Sequence, residues 1–527
     1  MITGIKINNV RNLDFNEYIH LDPLTIFLGK NSSGKSTFLR TFPLIKQSLE
    51  IRRSTPLLWY GNLVDFGSFD ETINRNSRKK EMSFSFKIET PHKENSIKKN
   101  SEIFSSLSIK KENEQEFISK VEIKYLDNNF LLKFDKDNKL ILLKVNEQEY
   151  HNLNLFYRLE RFDFFPTEFI DTEVESENKI NKMFFSRRMI FLGHRNKLEN
   201  KIFDEIGELL GKDEKDIEIL KEKIEVTIFP LDSELNSILK TIRSLLKNRG
   251  FFKILEKLNL KLENEEKGKK LKNLFLTLLL ERMLFYINNE IFEYFDNIIY
   301  IAPLRATAQR YYRIQGLDIE NIDSTGSNLP IYLKNLDKIS RENFSDWTNE
   351  NFGFKPKLIS KEGHISLAIE KKENINFNLA DTGFGFSQIL PILLQIWCKV
   401  FLKDNKRRFN FYTGLHQTNL IFFIEQPELH LHPAMQASLI DLFIKAIKIG
   451  DKNQVKIKFI LETHSEVIIN RVGRHIAEEN FESDKIEIII FENDKVGGLS
   501  LLKTNISDEG IISNWPSGFF EPKEIQK

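Results

Sequence analysis

The chain has 527 residues, 41% hydrophobic and 29% charged, enough to bury a sizeable core arranged in two or three domains. With 77 Lys+Arg against 76 Asp+Glu the formal net charge is +1, so no global field draws it to nucleic acid or membrane, and any nucleic-acid site must be a local patch. The single cysteine, Cys398, excludes an internal disulfide and fits a reducing compartment. Without a signal-peptide core or an apolar run able to span a bilayer, the expected location is cytoplasmic, with no membrane partner.

Short β-rich and helical segments alternate over the first 90 or so residues, as in an α/β nucleotide-binding half. Arg11, in Asn9-Val-Arg11-Asn, reads from the residues alone as a solvated surface charge. The apolar run Leu24-Thr-Ile-Phe-Leu28 leads into Gly29, Lys30, Asn31, Ser32, Ser33, Gly34, Lys35, Ser36 and Thr37, and strand, glycine loop and Lys-Ser together make a phosphate-binding loop. Gly29 and Gly34 permit dihedrals that aim successive N–H groups into one concavity. Lys35 reaches the β- and γ-phosphates, and Ser36 offers a hydroxyl to Mg²⁺ at a helix N-terminus, so ATP and Mg²⁺ are the expected cofactors. A turn-rich segment follows at residues 61–69. From residue 91 to 295 an insertion is expected, first of short strands and then, from residue 197, helical; no heptad is sustained, and a compact lid or helical arm fits the pattern.

The α/β signal returns at residue 296 and runs to about 480, with a tail domain at 481–527. Leu379-Ala-Asp-Thr-Gly383-Phe-Gly385-Phe-Ser387-Gln388 is a glycine-rich turn entering a helix, able to present N–H groups and Ser387 to an anion. The buried strand Leu420-Ile-Phe-Phe-Ile424 ends in Glu425-Gln426-Pro-Glu428-Leu-His430-Leu-His432-Pro433, and an acid at such a tip sits where Mg²⁺ and a triphosphate meet. A second strand, Lys456-Ile-Lys-Phe-Ile-Leu461, ends in Glu462-Thr463-His464-Ser465-Glu466 and can bring the His464 imidazole beside the γ-phosphate. His430 and His432 suggest a metal at first sight, yet no further His/Cys/Asp set at ligand spacing accompanies them.

Jointly these motifs resemble the ABC-type ATPases of the recombination-repair and overcoming-lysogenization group, which share the architecture of structural-maintenance-of-chromosomes heads. They are most similar to bacterial AAA-type ATPases that end in a tail domain of unknown function. The tip motif Glu425–Pro433, the Glu462–Glu466 motif, Ile301-Ala-Pro-Leu-Arg305-Ala, Gly326-Ser-Asn-Leu-Pro330 and Trp515-Pro-Ser-Gly-Phe-Phe520 carry the resemblance, over residues 1–75 and 296–527. It implies an α/β P-loop ATPase head of ABC type with a mixed β/helical insertion. It also implies a dimer in which Gly385 and Ser387 of one protomer face the phosphate loop of the other, an Arg11 near the nucleotide, and His464 as the switch histidine. Under it, His430 and His432 belong to a loop at the dimer interface.

The motif departs from the usual Asp-Glu-Pro in one respect. Glu425 falls at the metal-proximal acid and Gln426 where the general base normally stands, and glutamine cannot take a proton from water. Either Glu428 does that work, or hydrolysis is slow and the ATP-bound dimer is long-lived; a base is worth roughly 10²–10⁴-fold. About 60 residues follow His464 and lack the acidic cluster of a Toprim nuclease, so the resemblance implies an ATPase paired with a separate effector, a nuclease or toxin, in anti-phage defence. The competing expectations are a repair-type ATPase clamping DNA, with Arg305, Arg310, Arg313 and the basic run 240–249 as candidates, and a non-hydrolysing ATP-locked scaffold.

Overall fold

The computed structural model describes residues 1–75, 77–90, 102–151, 153–171, 197–210, 265–314, 316, 319, 321–370, 375–402, 419–493, 499–504 and 506–512. The helical segment 217–224, the breakers Pro230 and Gly250, the basic run 240–249 and the terminal motif 515–520 lie outside the described residues.

Five strands, Ile298–Ile301, Asn419–Glu425, Lys456–Glu462, Leu24–Gly29 and Ile486–Asn493, lie side by side in that order and run parallel, with Leu499–Thr504 antiparallel at the far edge. Parallel strands are covered on both faces, which is why these segments read as continuous apolar runs rather than alternations. Successive side chains do divide between two cores. Phe27, Ile421, Phe423, Ile460 and Phe491 face one; Ile26, Leu28, Phe422, Ile424, Phe459 and Leu461 face the other.

The first core holds the helices Lys35–Glu50 and Glu265–Asp296 and is closed by a second, eight-stranded antiparallel sheet. That sheet begins with Leu13–Asp14, Ile2–Val10 and Glu81–Glu89, and continues through Glu102–Glu112, Gln115–Tyr125, Asn128–Phe134, Leu140–Val145 and Gln148–His151. Its hairpins follow local rules. Asn113 and Glu114, both at positive φ (49° and 64°), make the two-residue turn whose twist matches the flanking strands. The sheet runs across the expected boundary at residue 90/91, because Glu81–Glu89 pairs with Glu102–Glu112. Likewise, Ile486–Asn493, in the expected tail, pairs with the phosphate-loop strand Leu24–Gly29.

The second core holds the helices Phe384–Ile396, Pro433–Lys452 and Glu466–Ala477. A small sheet of Tyr312–Arg313, His364–Glu370, Lys355–Lys361 and Asn376–Asn378 stands before the glycine-rich turn. The stretch Phe384–Phe401 is long and apolar enough to cross a membrane, but 67% of it is buried here as the spine of this core. Gly326 lies against this helix at φ 73°; a Cβ there would sit 2.5 Å from Pro391 Cγ, which accounts for the glycine of the 326–330 motif.

Candidate nucleotide site

Because the strands are parallel, their C-terminal ends open at one edge of the sheet, and the phosphate loop, Glu425 and Glu462 all lie there. The loop after Leu24–Gly29 turns through positive φ at Gly29 (149°), Ser32 (62°) and Gly34 (103°) into helix Lys35–Glu50. A Cβ on Gly29 would lie 2.5 Å from the Phe491 carbonyl, so that position needs glycine for space as well as conformation; at Gly34, where a Cβ would meet the tip of the Asn12 side chain at 2.9 Å, the φ of 103° is what calls for glycine. Lys30, Asn31 and Ser32 are exposed, Ser33 is buried, and Ser36 and Thr37 are half-buried. Lys35 is buried and its Nζ donates to the Gly29 and Lys30 carbonyls, 2.8 Å each. Burial lowers its pKa, opposed by the charge of Glu462.

The carboxylates are arranged differently from the expectation for Ser36 and Glu425. Ser36 Oγ donates to Glu462 Oε1 at 2.7 Å. Glu425 is held elsewhere: Arg40 grips it with a two-pronged contact, Nε to Oε1 and Nη2 to Oε2 at 2.8 Å, and Tyr300 OH donates to Oε1 at 2.7 Å. Strand order is the cause. Lys456–Glu462 lies between the acidic-tip strand and the phosphate-loop strand, so Glu462 is next to the loop and Glu425, its registered neighbour, is one strand further away. Burial raises the Glu462 pKa, the Ser36 hydrogen bond opposes this, and the adjacent Glu425 raises it further.

Beyond Glu425 the chain turns sharply. Gln426 adopts φ 43°, a left-handed conformation costing a non-glycine residue of order 1 kcal/mol. Its N–H donates to the Glu462 carbonyl at 2.7 Å, tying the two strand tips together. Glu428 Oε1 accepts the His464 N–H at 2.8 Å, and burial raises the Glu428 pKa despite that bond. The His464 side chain is exposed; its pKa is lowered by desolvation and then by Lys35, which favours neutral imidazole at pH 7. The neighbouring motif residues have structural duties. Ser465 Oγ caps helix Glu466–Ala477 and donates to Gln436 at 2.6 Å, and His432 Nδ1 caps helix Pro433–Lys452. His430 is exposed at φ 60°, and no group of three possible metal-ligating side chains occurs among the described residues.

On the second-core side, Gly383 (φ 76°) opens helix Phe384–Ile396. Ser387 is buried and its Oγ donates to Phe384 O, 2.8 Å, within its own helix. Gly385 abuts the tip loop, where a Cβ would meet His430 O at 3.1 Å, and Phe384 packs on the His430 ring at 5.7 Å. Arg11 is half-buried: its guanidinium lies over Phe66 at 4.7 Å, and burial followed by the charge of Arg40 lowers its pKa. Arg305, a candidate DNA contact by sequence, is 4% exposed and donates inward to Glu425 O. Arg310 is exposed but paired with Asp381 at 2.6 Å, and Arg313 is exposed.

Residues 1–469 match the family described as AAA ATPase domain. The chain belongs to this family. No curated protein matches the ATPase significantly. Among solved structures it is similar to an Smc head domain with an extended coiled coil bound to the C-terminal domain of ScpA, from Pyrococcus furiosus, at 12% identity, 96% of each chain and a TM-score of 0.33. It is also similar to an SMC head domain from Thermotoga maritima, at 7% identity, 96% and 99% coverage and 0.33. The recombination mediator protein RecF of the RecFOR pathway aligns at 11% identity, 95% and 98% coverage and 0.28. Scores this low carry no argument. The mixed α/β P-loop fold rests on the family match, the loop and the strand order.

Three buried oxygens at the ATPase's sheet edge, Ser33 Oγ, Glu462 Oε2 and Glu428 Oε2, have no hydrogen-bond partner among the described residues. Buried polar atoms are normally paired, so unpaired oxygens beside a phosphate loop and a lysine fit a triphosphate with a divalent cation. The phosphate loop, Lys35 and Ser33 suit the phosphates; Ser36 and Glu462 suit the cation. Sequence reasoning had given Glu462 no role, although a second acid ending a second buried strand was the available signal.

Proposed function

We propose that this ATPase binds Mg²⁺-ATP at the phosphate loop and hydrolyses it slowly, as a dimeric switch that acts on a separate effector protein. The observation that carries the reading is the meeting of Ser36 and Glu462 at 2.7 Å across 426 residues of sequence, beside Lys35. Mg²⁺ bound with the nucleotide would polarise the terminal phosphate and neutralise charge developing on it. Loop N–H groups and Lys35 bind the phosphates, and Ser36 with Glu462 orients the metal side. Glu425 serves mainly as the buried counter-charge of Arg40. Glu428 is the carboxylate that accepts the proton of the attacking water: its Oε1 is fixed by the His464 N–H and its Oε2 is unengaged, whereas Gln426 has no basic atom. His464, neutral, orients groups at the γ-phosphate. Arg11 lies near the nucleotide, and Gly385 and Ser387 complete the site from the partner protomer, Ser387 turning away from Phe384 O to do so. A cytoplasmic role in anti-phage defence, with a nuclease or toxin as effector, is the biological form of this reading. Inward placement of Arg305 weighs against the DNA-clamp alternative.

The test is ATP turnover by wild type beside Lys35→Ala and Glu428→Gln, with oligomeric state followed by light scattering. We expect both variants to lose turnover, Glu428→Gln by roughly 10²–10⁴-fold, with ATP-dependent dimers surviving only in Glu428→Gln. Absence of turnover in wild type together with a stable ATP-bound dimer would establish the ATP-locked scaffold instead.

A further inference from the structure

Arg305 follows the edge strand Ile298–Ile301 and is buried among elements that all converge on the acidic tip. Its Nη2 donates to the carbonyls of Glu425 (2.8 Å) and Gln426 (3.2 Å), the two residues at which the chain enters its left-handed turn. Its Nε and Nη1 are buried with no hydrogen-bond partner among the described residues, an expensive state for a guanidinium unless those donors have another use. The backbone of Arg305 is fixed from the other side. Gln388, one residue past Ser387, accepts the Arg305 N–H through Oε1 at 3.3 Å and donates from Nε2 to the Arg305 carbonyl at 3.2 Å. One side-chain amide thus clamps both backbone groups of the arginine that clamps the tip. Glu428, three residues beyond Glu425, is the leading charge that sustains protonation of Arg305, whose pKa burial pushes down to about 10.

We infer that Arg305 is a positioning residue through which helix Phe384–Ile396 sets the orientation of the tip turn, and so of Gln426 and Glu428, at the nucleotide. The inference rests on the reading of Glu428 as proton acceptor. A displacement of the helix moves Gln388, Gln388 carries the Arg305 backbone, and the guanidinium carries the carbonyls of the turn. Its two spare donors give it a second partner, the Glu428 carboxylate, when the turn shifts. Events at the glycine-rich turn are thereby linked to the chemistry along one hydrogen-bonded path.

Steady-state ATP turnover is measured for wild type, Arg305→Met, Arg305→Lys, Gln388→Ala, the Arg305→Met/Gln388→Ala double variant and Glu428→Gln, with thermal melting and binding of a fluorescent ATP analogue as checks on folding. A positioning role predicts that Arg305→Met lowers kcat at least about tenfold while KM and analogue affinity move less than about threefold. Arg305→Lys, which keeps the charge and a single donor nitrogen but loses the planar fork, recovers part of the loss. The double variant is no worse than Arg305→Met alone, since Gln388 acts through Arg305. Loss of kcat and analogue binding by the same factor, multiplication of the two single effects in the double variant, or wild-type kcat in Arg305→Met beside an inactive Glu428→Gln would each overturn the inference alone. Full turnover in Glu428→Gln would overturn the reading of Glu428 itself, and the inference with it.

Discussion

The two large sheets share one core and do different work. The antiparallel sheet alternates buried and exposed residues, covers helices Lys35–Glu50 and Glu265–Asp296, and spends its outward charges on exposed pairs such as Lys144–Glu149. The parallel sheet is largely apolar on both faces, and at its C-terminal edge Lys35, Glu425 and Glu462 are buried within a few strands of each other. Only the parallel arrangement delivers several strand ends to the same place. Chemistry therefore collects on one sheet, and the other holds the phosphate-loop helix in position.

The division predicts separable failures. Phe86→Ala, which empties a fully buried position on the antiparallel sheet among Phe164, Phe165 and Phe295, should lower unfolding free energy by about 3–5 kcal/mol in urea titrations while leaving turnover per folded molecule unchanged. A fall in specific activity at temperatures where the variant is folded would break the contrast. Arg40→Met should cost about 3 kcal/mol by the same titration, because it leaves the buried Glu425 carboxylate with only Tyr300; Arg40 is itself about one-third exposed (35%), which keeps the cost near the low end of buried pairs. Addition of Glu425→Gln should restore part of it. Glu462→Gln should keep stability close to wild type and raise the Mg²⁺ concentration for half-maximal turnover about 10–100-fold. An unchanged Mg²⁺ requirement would return the metal side to Glu425.

The smallest effect is on pH dependence. Burial raises the Glu428 pKa, so its carboxylate loses the ability to accept a proton as pH falls through a value above the ordinary glutamate value of about 4.3. Turnover should decline on the acid side from that higher pH, about tenfold per unit below it, and a profile that falls only at the ordinary glutamate value would place proton acceptance elsewhere.

Much of this was legible in the chain itself. An apolar run stopped by glycines and Lys-Ser marks the phosphate loop locally, and apolar runs ending in acids mark the other two strand tips, because burial on both faces leaves polarity only at the ends. What local patterns do not contain is strand order. Glu425 and Glu462 look equivalent in sequence, and only the insertion of Lys456–Glu462 between the other two strands decides which one meets Ser36. Arg40 and Tyr300 read as a helical and a strand residue, with nothing to show that both end on one carboxylate. Arg305 read as a surface cation because charge is normally solvated; its burial is justified only by carbonyls and a glutamine more than 80 residues away. The expected boundary at 90/91 followed a change in composition and that at 480/481 the resemblance, and strand pairs cross or join both: Glu81–Glu89 with Glu102–Glu112, and Ile486–Asn493 with Leu24–Gly29.

The strand order also governs timing during synthesis. Leu24–Gly29 is made early, yet both of its neighbours, Lys456–Glu462 and Ile486–Asn493, emerge more than 400 residues later, whereas Ile2–Val10 finds Glu81–Glu89 soon after the start. A growing chain can thus assemble its antiparallel half while the phosphate loop still lacks either carboxylate, and closing so long a loop adds an entropic cost that rises only as the logarithm of its length. Translation products of this protein that stop short of Lys456 are in consequence expected to hold nucleotide far more weakly than the full chain, since both strands that flank the phosphate-loop strand are missing from them.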